Sequence, residues 1–171
     1  MNNDSPDQDL PPPKTMRICV LAQELAKRIP EFFRIKGAGD GDRATNEYMS
    51  NLRQLVKDAL GMDFSEAIVS SASDSKFDFY IPDEATVIEV ALSLRNSNSE
   101  YEKDVFKCLI AKRAGKQIER LMLLSKPGAL AAQTPYRKAV SELAKASFGV
   151  TIHVLELYEL EQVNTTAASS A

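Results

Sequence analysis

Asp78 and Glu89 are the two residues of this chain best placed by spacing to do chemistry together. From Lys76 to Ile81 the pattern alternates: Phe77, Phe79 and Ile81 point one way, and Lys76, Asp78 and Tyr80 the other. From Thr86 to Leu94 a second alternation puts Ile88, Val90, Leu92 and Leu94 on one face, and Val87, Glu89, Ala91 and Ser93 on the opposite one. Pro82-Asp83-Glu84-Ala85 between them reads as a turn. Pairing Ile81 with Thr86 across that turn sets Asp78 opposite Glu89 and Lys76 opposite Ala91, all on one face, with opposed Cβ atoms ~4.5–5.5 Å apart. Two carboxylates opposed in a sheet repel, so something must offset them. A divalent cation does so, and Mg2+ takes one or two carboxylates while keeping several waters. A phosphate and an attacking water fit the remaining positions, and a nearby ammonium stabilises the charge that develops. The plain alternative is a solvated strand face neutralised by Lys76, a surface pair worth little.

The elements that must position this pair follow from the rest of the pattern. Ile18, Leu21, Ala22 and Leu25 predict a first helix over 15–29, capped by Thr15 and ended by Pro30. Lys36 to Arg43 reads as a flexible loop around Gly37, Gly39 and Gly41. Tyr48, Leu52, Leu55, Val56 and Leu60 predict a second helix over 44–60. A short strand is expected over 67–69, ahead of the two strands of the hairpin. Ser99 and Glu102 form a capping box for a helix over 99–114 with Val105, Phe106, Leu109 and Ile110 inward. A strand over 118–124, a helix over 132–148 with Ala139, Val140, Leu143 and Ala144 inside, and a strand over 150–157 complete the chain. The two late strands are apolar enough to be buried on both faces. The order α-α-β-β-β-α-β-α-β implies an α/β fold with a mixed central sheet flanked by helices. Residues 15–162 make one domain, and the polar ends, 1–14 and 163–171, read as disordered tails.

The segment FDFYIPDEATVIEVALSL, in that order of elements, resembles the restriction-endonuclease-like superfamily called PD-(D/E)xK. The resemblance covers about residues 44–157 in layout. Asp78 matches the family's first acid, and Glu89, after ten intervening residues, its second. The helix SEYEKDVFKCLIAK matches the helix beside the family's active site. What the resemblance implies is a restriction-endonuclease-like fold and metal-dependent DNA endonuclease activity, with Mg2+ or Mn2+ held by Asp78 and Glu89. Glu47 on the second helix would be a further metal ligand. One departure stands out: Ala91 occupies the position of the family's lysine. The superfamily contains migrated lysines, so Lys76, across the hairpin from Ala91, or Lys103 or Lys107, from the following helix, would supply the ammonium. Lys76 is favoured by the register. The alternatives are a non-catalytic member of the same fold that binds nucleic acid or a protein partner, and an unrelated α/β interaction domain.

Composition sets outer bounds. The chain has 171 residues, 44% hydrophobic and 26% charged, enough for one buried core. No run approaches the ~18 apolar residues of a membrane span, and the N-terminus lacks the apolar segment of a secretory signal, so the cytoplasm is the expected address. A net charge of −3 does not advertise nucleic-acid binding, although Lys103, Lys107, Lys112, Arg113, Lys116 and Arg120 form a basic stretch that suits phosphate contact or simple solvation. Cys19 and Cys108 stand alone in apolar segments and read as buried thiols. GAGDGD lacks the ending of a phosphate loop. The single histidine, His153, sits in an apolar strand, so no nucleophilic triad can be assembled. So small a nuclease would span both DNA strands as an isologous homodimer.

Overall fold

The first helix, α1 (Pro13–Arg28), shows how distant sequence fixes local structure. Proline suits a first helical turn, where no backbone donor is needed. Pro12, at the N-cap, offers no side-chain acceptor. The acceptor comes instead from Glu84, whose carboxylate takes the main-chain N–H groups of Lys14 and Thr15 at 2.7 and 2.8 Å and the Thr15 hydroxyl at 2.7 Å. The helix thus begins earlier than its apolar spacing predicts, and Thr15 is buried within the first turn rather than capping it. A carboxylate on exposed helix N–H groups also meets the positive end of the helix dipole. Glu84→Ala is expected to cost about 1–2 kcal/mol; a urea unfolding midpoint equal to that of the unsubstituted chain would refute this capping role.

The structure, a computed structural model, describes residues 11–29, 32–34, 40–71, 73–94 and 98–158. Pro30, Gly37 and Gly39 fall outside them. Helix α2 (Asp40–Leu60) starts inside the expected loop and buries Tyr48, Leu52 and Val56 against α1. The Tyr48 hydroxyl donates to the Ala22 carbonyl at 2.9 Å, which satisfies its one polar atom inside the core. Two short antiparallel strands follow, β1 (Ile68–Ser70) and β2 (Ser73–Lys76). Next come β3 (Phe79–Ile81), a 3-10 turn over Pro82–Glu84, β4 (Thr86–Val90), α3 (Asn98–Arg113), β5 (Arg120–Ser125), α4 (Pro135–Phe148) and β6 (Thr151–Glu156). Ala85 adopts φ 47° to close the turn, with its N–H on the Pro82 carbonyl.

The main sheet has the order β3-β4-β5-β6, with β3 antiparallel to β4 and the other neighbours parallel. This is a mixed four-strand sheet plus a two-strand hairpin, flanked by four helices. One core layer lies between the sheet and α1–α2, built on Ile18, Leu52, Phe79, Ile88 and Leu124. The other lies between the sheet, α3–α4 and the small hairpin, built on Phe77, Val87, Tyr101, Leu121 and Leu123. Both cysteines are buried in these layers as free thiols. Among the described residues, no helix is long and apolar enough to cross a membrane.

Four further expectations need correction. The single strand over 76–81 is split: Phe77 gives its N–H to the Ala67 carbonyl of the small hairpin, and only from Phe79 does the chain join β4. The side chains follow the split, with Phe77 in the α3–α4 layer and Phe79 and Ile81 in the α1–α2 layer. Helix α3 is rotated relative to its apolar stripe. It buries Tyr101, Asp104, Val105, Cys108 and Ala111, while Phe106 and Ile110 are exposed, and Ser99 lies inside a helix that already runs from Asn98. On α4, Leu143 and Ala139 are exposed while Ala144 is buried. Of the late strands, β5 is buried as expected, but β6 is half-buried throughout because it is the edge strand. Thr134 is the N-cap of α4, its hydroxyl accepting the Arg137 N–H at 3.3 Å, and Pro135 takes the first helical position.

Candidate active site

The hairpin register is the one that the alternation predicts: Phe79 pairs with Ile88, Tyr80 with Val87 and Ile81 with Thr86. One step further, Asp78 and Glu89 meet through a reciprocal clasp. The Val90 N–H donates to Asp78 Oδ2 at 2.8 Å, and the Asp78 N–H lies 3.4 Å from Glu89 Oε2. Each carboxylate is therefore held by the backbone of the strand opposite. The clasp replaces the ladder where β3 bends away toward β2. Asp78 keeps a partly open side chain, whereas Glu89 is only 3% exposed.

The ammonium comes from α3. Lys107 Nζ lies 2.5 Å from Glu89 Oε1 and 3.1 Å from Asp104 Oδ1, and donates to the Lys76 carbonyl at 3.2 Å. Lys76, favoured by the register, turns instead to Glu66 at 3.2 Å. It leaves the site because β2, which carries it, pairs with β1 and not with β4. Lys103 stays at the rim, mostly exposed and 3.8 Å from Asp104. Glu47 is exposed on α2. It sits about 120° around that helix and ~9 Å along it from Arg53, and Arg53 is the α2 residue that reaches Asp78, at 3.7 Å, while gripping Glu66 at 2.8 Å. The structure thus brings together Asp78, Glu89 and Lys107 of the expected residues, and sets Lys76, Lys103 and Glu47 outside that cluster.

Four participants were not singled out from the sequence. Asp104 is 3% exposed beneath Lys107. Glu100, half-buried one turn earlier, has its pKa raised by burial and then by Asp104. Arg53 and Glu66 form the outer bridge, with Glu66 at φ 55°, a left-handed conformation uncommon for a non-glycine residue. The spacing of Glu100, Asp104, Lys107 and Cys108 on one side of α3 is a readable signal for the first two. Arg53 and Glu66 carry no such signal, since only the tertiary fold brings them to Asp78.

The electrostatics follow from two buried acids, Glu89 and Asp104, beside Asp78 and around one buried ammonium. Burial, then Asp78 and Asp104, push the Glu89 carboxyl up to about 9, and the Lys107 contact only partly offsets this. Burial likewise raises Asp104 against the pull of its lysines. Burial alone would lower Lys107, but Glu89 and Asp104 outweigh it and keep the ammonium charged. Beyond that ammonium, neither Glu89 Oε1 nor Asp104 Oδ1 has a hydrogen-bond donor among the described residues. Among the buried groups, two acids therefore share one ammonium, a shortage of positive charge that a divalent cation relieves, while Arg53 and Lys103 stand only at the outer edge. Among the described residues, no three His, Cys, Asp or Glu side chains converge as a ready-made metal group. Mg2+ commonly takes one or two carboxylates and keeps several waters, and Asp78 and Glu89 are the pair here that could hold one.

Three other residues of the basic stretch have structural tasks. Lys112 donates to the Ile118 carbonyl at 2.6 Å, Lys116 lies over the Tyr80 ring, and Arg120 reaches the Thr86 hydroxyl. Comparison with known proteins gives no match: no family model, no curated protein and no solved structure aligns significantly with the chain.

Proposed function

We propose that the chain is a Mg2+-dependent DNA endonuclease of the PD-(D/E)xK kind, with Mn2+ as an alternative ion, acting as a homodimer. The single observation that carries the reading is the Lys107 ammonium 2.5 Å from Glu89, beside Asp78 and entering from the helix rather than from position 91. Ala91 is buried and cannot supply that charge, so Lys107 is the migrated lysine of the resemblance. Asp78 and Glu89 would hold the ion, which would supply charge neutralisation for a phosphodiester and bring an attacking water to it. Lys107 orients Glu89 and stabilises negative charge developing on the phosphoryl oxygens. Asp104 fixes Lys107 from below. Arg53, Lys76 and Lys103, at the outer side of the acids, are the cations an approaching phosphate meets first.

A second reading keeps the fold but drops the chemistry. The ion pair of Arg53 with Asp78 favours it, because an internal cation partly satisfies the first acid. Plasmid cleavage with and without Mg2+, on the unsubstituted chain and on Glu89→Ala, separates the two. Catalysis predicts metal-dependent nicking that falls at least ~100-fold in the variant. Equal, absent or metal-independent cutting by both folded proteins sinks the catalytic reading.

A further inference from the structure

The outer surface of the α3–α4 layer exposes four large apolar side chains among its charged ones. Phe106 is 61% exposed, Ile110 49%, Tyr136 52% and Leu143 59%. They form one patch. Tyr136 touches Glu102 through its hydroxyl, and Glu102 heads the same i, i+4 row of α3 as Phe106 and Ile110. The two helices run the same way, since each returns the chain between parallel strands. Leu143, ~10 Å along α4 from Tyr136, therefore lies beside Ile110, ~12 Å along α3 from Glu102. The exposed parts of these four side chains come to roughly 450 Å2 at ~200 Å2 per side chain. That is the apolar core of an ordinary interface, which buries about 800 Å2 per partner with a polar rim.

We propose that this face binds a second copy of the same chain, α3 of one protomer packing against α4 of the other about a two-fold axis. The surface carries both halves of such a contact. Large side chains, Phe106 and Ile110, stand on α3, and small exposed ones, Ala139 and Ala146, stand on α4. A two-fold sets the ridge of each α3 into the shallow face of the opposite α4, a helix pair on a helix pair. The α4 stripe of Tyr136, Ala139, Leu143 and Ala146 is uncharged, and exposed Lys138, Glu142 and Lys145 beside it supply the polar rim of such a contact. The inference specifies where the homodimer proposed above forms. It stands on this surface alone, whether or not the chain cleaves phosphodiesters.

Sedimentation velocity of the full chain tests it by mass. At ~100 μM chain a reversible dimer is expected, as for an interface of standard size. Phe106→Glu and Leu143→Glu each give monomer with unchanged far-ultraviolet circular dichroism. Val20→Glu, at an exposed apolar position on α1, leaves the dimer intact. Mild oxidation of a mixture of Phe106→Cys and Ala139→Cys chains yields a covalent heterodimer. A monomeric unsubstituted chain overturns the proposal, whether the face is bare or serves another protein. Dimers that survive both glutamate substitutions, or that Val20→Glu breaks equally, overturn it as well.

Discussion

Lys107→Met is expected to lower Mg2+-dependent cleavage by roughly 10²–10³, the usual worth of one positioned charge in an active site, while Lys76→Met and Lys103→Met change it only a few-fold. The ranking comes from geometry. Lys107 alone places its ammonium on Glu89 and Asp104 together, whereas Lys76 serves Glu66 and Lys103 touches only the rim. The substitution also has a structural cost. Removing one partner of a buried ion pair typically costs about 3–5 kcal/mol. Here the cost is smaller, because Glu89 and Asp104 already lean toward their neutral forms and can take up protons in place of the ammonium. Urea unfolding run beside the cleavage assay separates a folded, inactive variant from an unfolded one. Lys107→Arg keeps the charge but spreads it over a planar fork, so folding should survive and cleavage should recover only in part. If Lys76→Met is the inactive variant instead, the site has been assigned to the wrong lysine.

The same contrast shows what could be read from the sequence. Strict alternation over Phe79–Ile81 and Thr86–Val90, joined by a four-residue turn, has one register that buries both apolar faces, so the pairing that faces Asp78 toward Glu89 was legible. The break at Phe77 was not. An apolar aromatic continues the alternation on paper, and only the bond from Phe77 to Ala67 shows the strand leaving for another sheet. That break is why Lys76 is lost to the site. Helix α3 misleads for a related reason. Its inner face carries Asp104 and half-buried Lys107, so charged positions that look solvated are inside, while Phe106 and Ile110, which look like core, are outside. A helix that serves a polar site on one side and an apolar surface on another has little amphipathic contrast, and its facing cannot be read from hydrophobic periodicity. Glu84 at the start of α1 and Arg53 beside Asp78 belong to the same class, contacts between distant segments that local pattern cannot encode.

Glu89→Gln is expected to change how stability depends on pH and, with it, how the chain responds to metal. Glu89 releases its proton near 4.5 when unfolded, but in the folded chain burial, Asp78 and Asp104 push it up to about 9. Between those values the folded chain holds a proton that the unfolded chain has lost. The protonated carboxyl's contribution is fully present below about pH 4.5 and drains away as the pH rises through about 9. Asp104, raised chiefly by burial, acts in the same direction. Exposed Asp63, Glu66 and Asp83, lowered by their hydrogen bonds to Ser65, Lys76 and Lys14, act oppositely, but only at the acid end. The metal-free melting temperature should therefore fall from pH 5 to pH 9. In the glutamine variant, which has no proton to lose at position 89, the fall should be shallower, and the variant should be the more stable protein at the alkaline end. Mg2+ should reverse the order. A cation held by Asp78 and Glu89 must displace the Glu89 proton, so binding near neutral pH releases about one proton and strengthens as the pH rises. Titration calorimetry in two buffers of different ionisation enthalpy reads that proton directly, without any cleavage. The glutamine variant should show neither the proton release nor the Mg2+-induced rise in melting temperature. A melting profile independent of pH in both proteins would mean that Glu89 is already ionised against Lys107. The buried site would then not be short of positive charge, and the argument for a cation there would lose its physical basis.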